Sequence, residues 1–345
     1  MDAPPIQYVT TSDGFDIAYC TSGDGPDFVL MPEPFNHLHL MWASPTYRSL
    51  YEPLAGRFRL IQFDPRGWGL SSRGLPPGHT ERSHVEDLEA IVRSLHLTKF
   101  ILYGGYFFGT VAAEYAVRHP EQVVALILWN IDLGSPRPQD AILRDLSHDS
   151  WDLFLETYAR TFNAYEDTTA ALERLRAACD PRDFGAHPDS GWDIPATLRA
   201  ITTPTLVVAR RSPVLGLEEK GKQIAGLIPN SKLVLFDDIA GGRYTSDGSS
   251  PTLVAAVDNF LATLSGPKAV YSDAAQESIR SLSALSAREQ EVLRLLAAGR
   301  SNQQIADNLV ISLNTVRRHV SNVFDKTGVA NRTEAALYAR DHGLA

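Results

Sequence analysis

Nucleophilic catalysis needs a reactive side chain next to a base, and the positions of the histidines restrict where a base could be. The chain has ten histidines, but none lies between His187 and His319. Cys20 and Cys179 are the only cysteines and lack metal-ligand spacing, so we expect neither a disulfide nor a zinc site. We likewise expect no cofactor.

A second set of side chains suits recognition of nucleic acid better than catalysis. After Ser312, the residues Val316, Val320 and Val323 recur at helical spacing and predict one apolar face. The opposite face carries polar and basic side chains, namely Asn314, Arg317, Arg318, Ser321 and Asn322. Arginine can donate two hydrogen bonds to a guanine edge, whereas threonine, serine and lysine anchor phosphates. The pattern predicts a helix that enters the major groove; a helical bundle with a solvated basic face is the alternative.

Serines at cap positions delimit the helices that would present this face. Ser286 is expected to cap a helix that ends before Gly299. Ser301 and Gln304 have capping-box spacing and open a short second helix. A tight turn then leads to Ser312, the third cap, and to a helix that runs to about Lys326. Two short helices joined by a tight turn are what insertion into the major groove requires.

The last sixty or so residues resemble the LuxR-type helix-turn-helix. The resemblance spans the whole module and rests on LSAREQEVL, GRSNQQIA, ISLNTVRRHV and NRTEA, which begin at 285, 299, 311 and 331. It implies that Arg317, Arg318 and Ser321 face bases. The residues that it places along the DNA backbone are Ser301, Asn302, Thr315, Asn322 and Lys326, with Asn314 on the same surface. The helix after Thr333 would help to pair two protomers on a near-palindromic operator.

The preceding 265 residues alternate short apolar runs with helical stretches, which is typical of a largely parallel sheet covered on both faces. The strand candidates are 28–31, 60–63, 100–103, 125–129, 205–209 and 232–236. The helix candidates are 86–95, 111–118 and 252–264. Residues 134 to about 196 are helical and rich in aromatics, which indicates a cap over the sheet. Residues 266–281 read as a linker, so we expect domains at 1–265 and 282–345.

Residues 6 to 265 resemble the α/β-hydrolase fold. FDPRGWGLS, from Phe63, matches that fold's D-x-R-G-x-G-x-S turn, and YGGYFFGT, from Tyr103, lies where its nucleophile elbow should be. The elbow is a strained strand-to-helix turn flanked by glycines. Aligned on Gly105 and Gly109, the nucleophile position falls on Phe107, whose benzyl group cannot react. The expected architecture is therefore an α/β-hydrolase fold, a mostly parallel sheet with a helical cap, followed by a small all-α LuxR-type domain.

The other catalytic roles of that fold are also unfilled. Where the family usually has an acidic residue, this chain has Arg211 and Ser212, and where it has a Gly-His pair, this chain has Gly242 and Arg243. The segment that shapes the oxyanion hole is altered to MPEPFN, residues 31–36. Compensation from a carboxylate stays open, the candidates being Asp132, Asp237 and Asp238. Tyr106, Thr110 and Cys20 are conceivable nucleophiles, but the sequence assigns no base to them.

A hydrolase fold without its triad still offers an apolar cavity at the carboxyl ends of the strands. Its predicted lining is aromatic: Phe35, Phe107, Phe108 and Tyr244 on the floor, with Tyr106 beside them and Trp151 and Trp192 from the cap. Ser212 and Arg243 are predicted as polar anchors. The alternative is that these aromatic side chains fill the space where a substrate would lie.

The charge distribution favours a DNA-binding module on an acidic body. Residues 280–345 carry nine basic and six acidic residues, a net +3, whereas the other 279 carry 23 and 35, a net −12. No apolar run is long enough to span a bilayer, and the first residues lack a signal-peptide pattern, so we expect a cytoplasmic protein without membrane contact.

These observations favour a transcription regulator without enzymatic activity that senses a small, largely apolar or aromatic ligand. Its expected partners are a double-stranded DNA operator, the ligand, a second copy in a homodimer and RNA polymerase. Two alternatives stay open: an enzyme with a repurposed hydrolase site, or a constitutive regulator whose body serves dimerisation.

Overall fold

The chain forms two compact units, residues 1–254 and 255–345. The computed structural model describes residues 3–76, 79–80, 82–131, 138–162, 167–184, 192–211, 216–237, 251–264, 287–327, 329 and 331–341. The predicted linker, residues 266–281, lies outside this set, and the predicted domain limits at 265 and 282 stay predictions.

An eight-stranded sheet forms the centre of the first unit. Its strands follow the order β1-β2-β4-β3-β5-β6-β7-β8, and only the β1–β2 and β2–β4 pairs are antiparallel. The bounds are β1 Gln7–Thr10, β2 Asp16–Ser22, β3 Asp27–Leu30, β4 Arg59–Phe63, β5 Phe100–Gly105, β6 Val123–Trp129, β7 Thr205–Arg211 and β8 Ser231–Asp237. The predicted parallel sheet is confirmed, and β1 and β2 add an antiparallel edge that the apolar pattern did not predict.

Helices cover the sheet, as the alternation of apolar and helical stretches predicts. Those outside the cap are α1 Leu38–Ala43, α2 Pro45–Ala55, α3 Ser83–Ser94, α4 Tyr106–Arg118 and α10 Leu217–Leu227. Helix α11 Pro251–Leu264 crosses the boundary between the two units. The cap lies between β6 and β7 and contains α5 Pro138–Asp149, α6 Trp151–Phe162, α7 Thr168–Ala178, α8 Pro181–Phe184 and α9 Ile194–Ala200. Helix α4 follows β5 without a loop, whereas the sequence predicts its start five residues later. This tight junction determines the geometry of the site described below.

The carboxyl ends of parallel strands meet at one edge of a sheet, so the loops after β3, β4 and β5 converge. The backbone shows this for β3 and β5, because the Met31 amide, just after β3, donates to the Tyr103 carbonyl of β5 at 2.9 Å. All residues of β5 and β6 are buried, as continuous apolar runs predict.

Four helices form the second unit after α11. They are α12 Ala287–Ala297, α13 Asn302–Leu309, α14 Leu313–Thr327 and α15 Arg332–Asp341. Buried side chains from all four meet in two small clusters, which contain Val292, Leu296, Ile305 and Val316 and, separately, Leu293, Val323, Ala335 and Ala339. The predicted apolar face of α14 is therefore its packing face.

Candidate nucleic-acid interface and strand–turn–helix site

Helix α13 begins with the capping box that its sequence predicts. Ser301 Oγ accepts from the Gln304 amide at 3.3 Å, and Gln304 Oε1 accepts from the Ser301 amide at 2.8 Å. Two of the otherwise unpaired amides at the helix start are thus satisfied. Ser301 is exposed and Asn302 half-buried, so both are accessible to a DNA backbone.

The turn from α13 to α14 passes through Val310 in a left-handed conformation, with φ of 53°. Val310 is also 89% exposed. Ser312 then starts α14, as predicted, because its Oγ accepts from the Thr315 amide at 3.1 Å. Val310 stands at a helix end where glycine or asparagine is usual, since a β-branched side chain is strained at positive φ.

The outer surface of α14 carries most of the predicted base-reading and backbone-contacting residues. Asn314, Arg317, Arg318 and Ser321 are exposed, and Thr315 is half-buried. The Lys326 side chain and the predicted cap Ser286 lie outside the described residues. The accessible side chains form one polar, basic surface, which we call the α14 surface.

Asn322 departs from the prediction, because its side chain is only 7% exposed. Helix α14 packs against α12, α13 and α15, so its buried arc is wider than the three valines that define it in the sequence. Asn322 lies on the flank of that arc, next to Val323. It does not belong to the exposed α14 surface.

The strand–turn–helix site of the first unit centres on Tyr106, the first residue of α4. Tyr106 has φ of 50°, the only positive φ between β5 and α4. The strained residue of a nucleophile elbow is the one that carries the nucleophile. The elbow position is therefore Tyr106, and the prediction of Phe107 is wrong by one residue.

The glycines around this turn support the corrected register. A Cβ on Gly104 would lie 2.6 Å from Ala112 Cβ and 2.8 Å from the Phe108 carbonyl oxygen. A Cβ on Gly109 would overlap Ile131. The glycines that permit close approach of strand and helix thus stand two residues before and three residues after Tyr106.

The phenol of Tyr106 lies near two other tyrosines. Burial raises the pKa of Tyr103 and of Tyr158, and the Tyr106 phenol adds to both shifts. The Arg174 guanidinium opposes the shift at Tyr158. Arg174 is itself buried, donates from Nη1 to the Phe35 carbonyl at 3.0 Å and lies 5.1 Å from the centre of the Tyr47 ring. The phenols of Tyr106 and Tyr158 and the Arg174 guanidinium therefore lie close to one another where the cap meets the elbow.

Phe35 and Phe108 are core residues and do not line an open cavity as predicted. Both side chains are 0% exposed, so neither borders a water-sized space. The Phe108 ring packs against Trp68 and His84. Phe35 is enclosed by the aromatic rings of Trp68, Trp151, Phe154, Tyr158 and Phe184, with centroids 4.8 to 6.3 Å away. Aromatic–aromatic packing accounts for the difference, because the cap rings bury their faces on Phe35.

The other predicted ligand residues divide into two groups. Tyr106, Phe107, Trp151 and Trp192 are half-buried and retain some accessible surface. The Phe107 ring packs edge-on against Phe108 at 4.8 Å and has the His84 ring 5.9 Å away. The other group, Ser212, Arg243 and Tyr244, lies outside the described residues. The candidate catalytic carboxylates Asp132 and Asp238 and the side chain of Asp237 lie outside them as well.

A buried polar network lies beside the elbow and was not singled out from the sequence. His84 Nδ1 lies 3.1 Å from Asp87 Oδ2, and Asp87 accepts from Arg66 Nε at 2.6 Å and from the Arg66 amide at 3.1 Å. Arg66 belongs to the D-x-R-G-x-G-x-S turn. The sequence signal was present, since Asp87 and His84 lie three residues apart on one face of a helix.

Asp64 of the same turn organises the neighbouring backbone. Its carboxylate accepts from the Leu70 amide at 2.8 Å, from Asn36 Nδ2 at 2.6 Å and from the Leu38 amide at 3.1 Å. Complete burial raises the pKa of Asp64 to about 6, and these hydrogen bonds oppose the shift. Asp64 thus joins the loop after β3 to the loop after β4.

The far end of the cap is attached to the same turn. The buried Asp183 carboxylate accepts from the Gly74 amide at 3.1 Å and from the Leu75 amide at 2.8 Å. Arg73 Nη2 donates to the Ala177 carbonyl at 2.6 Å, and the Gly69 amide donates to the Ala178 carbonyl at 2.7 Å. Helices α7 and α8 are therefore held against the sheet edge.

Within the described ranges, no group of three or more histidine, cysteine or acidic side chains could hold a metal ion. None of the described helices is both long and apolar enough to cross a membrane.

Family models match both units. Residues 283–339 match the luxR family of bacterial regulatory proteins. Residues 35–197 match the α/β-hydrolase fold. The chain thus carries a LuxR-type DNA-binding domain after a domain with the α/β-hydrolase fold, and the LuxR-type domain supports a role in transcription regulation.

Relatives of each part differ in function. A putative carbamate hydrolase RutD of Agrobacterium fabrum is 27% identical over 54% of this chain and 77% of its own. Response regulator protein VraR of Staphylococcus aureus is 48% identical over 17% of this chain and 29% of its own. A 1-acylglycerol-3-phosphate O-acyltransferase of Arabidopsis thaliana is 44% identical over 23% of this chain. This chain spans only 20% of the length of that acyltransferase.

Solved structures with the same fold include hydrolases and a bromoperoxidase. A hydrolase from Pseudomonas aeruginosa has a TM-score of 0.62 at 23% identity and covers 74% of this chain and 98% of its own. A bromoperoxidase from Bacillus anthracis has a TM-score of 0.62 at 18% identity, covering 75% of this chain and 100% of its own. At these identities the similarity establishes the fold alone.

Proposed function

We propose that this chain is a transcription regulator whose hydrolase-fold domain has lost triad catalysis and responds to a small, largely apolar or aromatic ligand. The observation that carries the proposal is Tyr106 at the strained position of the elbow, in a chain that also has a LuxR-type domain. Regulation would take place in the cytoplasm, on an operator bound by a homodimer, with RNA polymerase as a further partner.

The elbow residue and the positions of the histidines both oppose triad catalysis. A phenol hydroxyl is a poor nucleophile unless a base removes its proton. The fold takes that base from the loop after the last strand, and residues 188–318 contain no histidine. Because nucleophile and base act as a unit, their joint replacement removes the covalent mechanism.

The composition of the space beneath the cap supports the ligand class. Tyr106, Trp151 and Trp192 offer partly accessible aromatic surface, and Tyr158 and Arg174 add polar groups beside it. A mostly apolar site with a few polar groups is typical of small-molecule recognition. The ligand could alter DNA binding only if it binds one conformation or protomer arrangement more tightly than the other.

The test of DNA binding uses the full-length chain and a duplex selected by it from random-sequence DNA. We expect Arg317→Ala and Arg318→Ala each to weaken binding by about 1–3 kcal/mol, the range for a lost bidentate base contact. Asn322→Ala should instead act through the stability of the domain. If no duplex is enriched by the wild-type chain, the regulatory function is refuted.

The test of ligand binding screens aromatic carboxylic acids, phenols and short lactones by thermal shift and by affinity for the selected duplex. A true ligand should raise the unfolding temperature and change duplex affinity. Trp192→Ala should abolish both effects, whereas Leu153→Ala, an exposed residue of α6, should leave both intact. A panel that alters neither quantity would contradict the sensor.

An enzyme remains the second candidate, since the hydrolase RutD aligns over more than half of this chain. The purified chain would then hydrolyse p-nitrophenyl acetate faster than buffer, and Tyr106→Phe would abolish the difference. A rate equal to buffer supports the regulator without catalysis.

A constitutive regulator is the third candidate, and the packing of Phe35 against five aromatic rings favours it. In that case duplex affinity would be independent of every small molecule tested, while the chain remained dimeric in sedimentation.

A further inference from the structure

The Leu309 carbonyl, at the carboxyl end of α13, needs a hydrogen-bond donor from outside the helix. The last carbonyls of a helix have no partner within it. Here the amides of Val310 and Ile311 both return to the Ala306 carbonyl. The Leu309 carbonyl, at the start of the turn into α14, accepts a hydrogen bond from neither of these amides.

Arg288 of α12 supplies that donor. Its Nη2 atom donates to the Leu309 carbonyl oxygen at 2.6 Å, and its Nη1 atom donates to Glu291 Oε2 at 2.6 Å. Glu291 lies one helical turn after Arg288, so the carboxylate orients the guanidinium toward the turn. Charge-assisted hydrogen bonds of this length are stronger than neutral ones.

We propose that Arg288, oriented by Glu291, is a positioning residue for DNA binding. It holds the turn between α13 and α14 against α12 and so determines the angle at which α14 presents Arg317 and Arg318. The inference rests on the proposed DNA-binding function and concerns residues outside the predicted contact surface.

The packing explains why such a contact is needed. The buried side chains of α14 begin at Val316, one turn after Ser312, and Val310 in the preceding turn is exposed. Leu309 and Ile311 of the turn pack against the same cluster but are only partly buried, so apolar packing at the start of α14 is shallower than along the rest of the helix. Bidentate recognition of bases requires alignment within fractions of an ångström, so a small rotation at this end weakens it.

A direct contact between Arg288 and a DNA phosphate is the competing role for this residue, because 36% of its side chain is accessible. The salt dependence separates the two. Each phosphate contact contributes about 0.9 to the slope of log affinity against log salt concentration, whereas a positioning residue contributes nothing.

The experiment measures affinity of the full-length chain for the duplex selected from random sequences, between 50 and 200 mM salt (roughly the range over which phosphate contacts are titrated). We expect Arg288→Ala to lower affinity about tenfold with an unchanged salt slope. Arg294→Ala removes the same charge from an exposed position of the same helix and should lower affinity less than about twofold.

Glu291→Gln gives a second test, in which charge and positioning predict opposite changes in DNA affinity. If charge alone mattered, removal of a carboxylate would tighten binding to DNA. Positioning predicts weaker binding, because the guanidinium loses its orienting partner. Asp307→Asn removes a carboxylate from an exposed position of α13 and is the matched control; it should tighten binding or leave it unchanged.

Arg288→Lys keeps the charge but has a single donor nitrogen in place of the guanidinium fork, so it should restore part of the affinity lost in Arg288→Ala. Circular dichroism at the assay temperature verifies that each variant is folded; if Arg288→Ala is unfolded, Glu291→Gln and Arg288→Lys decide. Wild-type affinity in Arg288→Ala, a slope lowered by about one, or tighter binding by Glu291→Gln would each overturn the assignment. A wild-type chain that selects no duplex would instead refute the proposed function itself.

Discussion

Arg66 and Asp87 form an ion pair that is almost completely removed from water. Arg66 Nε lies 2.6 Å from Asp87 Oδ1, and the two side chains are 1% and 0% exposed. The pair joins the turn after β4 to α3, and Asp87 also binds His84. Arg66 also pairs with Asp13, whose side chain is partly accessible, so removal of Asp87 leaves the buried guanidinium with only partly solvated carboxylate partners. Loss of one member of a buried pair costs more than the pair contributes when intact.

We therefore expect Asp87→Asn to lower the free energy of unfolding of the hydrolase-fold domain by about 3 kcal/mol. Urea denaturation followed by tryptophan fluorescence measures the change. Glu89→Gln, on an accessible position of the same helix, is the control and should cost less than about 1 kcal/mol. Equal effects of the two substitutions would show that the buried pair contributes no more than a surface pair.

Gly104→Ala tests the register of the elbow. The new Cβ would meet Ala112 and the Phe108 carbonyl at 2.6 and 2.8 Å, and the strand and helix would have to separate. A loss of about 1–3 kcal/mol is expected, as for other overpacked cores. Gly226→Ala, at an open position of α10, should raise stability by about 0.5–1 kcal/mol instead. A tolerated alanine at position 104 would contradict the close approach.

Val310→Gly should stabilise the C-terminal domain by roughly 1 kcal/mol, because glycine adopts φ of 53° without strain. Thermal unfolding of the full-length chain, read from the transition of that domain, gives the change. Val310→Ala removes the exposed apolar surface but keeps a Cβ, so it should recover only part of the gain. If Val310→Gly and Val310→Ala raised stability equally, the gain would come from removal of the exposed apolar side chain and not from relief of backbone strain.

Asp64 should make stability depend on pH in the direction opposite to a salt-bridged carboxylate. Its folded pKa of about 6 exceeds the ordinary value of 3.8, so the folded state binds the proton more tightly than the unfolded state. The stabilisation that this gives the folded domain is complete below pH 3.8 and is lost as the pH rises through 6. In Asp64→Asn this loss is absent, and the stability of the variant relative to wild type should rise by about 2 kcal/mol from pH 4 to pH 7. Urea midpoints across that range measure it; a constant difference would show that Asp64 does not titrate there.

The sequence by itself determined the features that depend on neighbouring residues. Apolar runs predicted six of the strands, Ser301 and Ser312 predicted helix starts, and the spacing of Val316 and Val323 predicted the packing face of α14. Caps and periodicity act within one or two turns, so their signals are local. The absence of histidine from 188–318 is likewise a property of the sequence alone.

The tertiary structure alone decided which residue occupies the elbow and which aromatics are accessible. Gly104, Gly105 and Gly109 permit two registers in the sequence, and only the backbone conformation selects Tyr106 over Phe107. Burial of Phe35 depends on cap rings more than a hundred residues later in the chain. The hydrogen bond from Arg288 to Leu309 spans 21 residues and involves a backbone atom that no side-chain pattern reveals. Long-range packing and backbone acceptors lie outside what local spacing encodes.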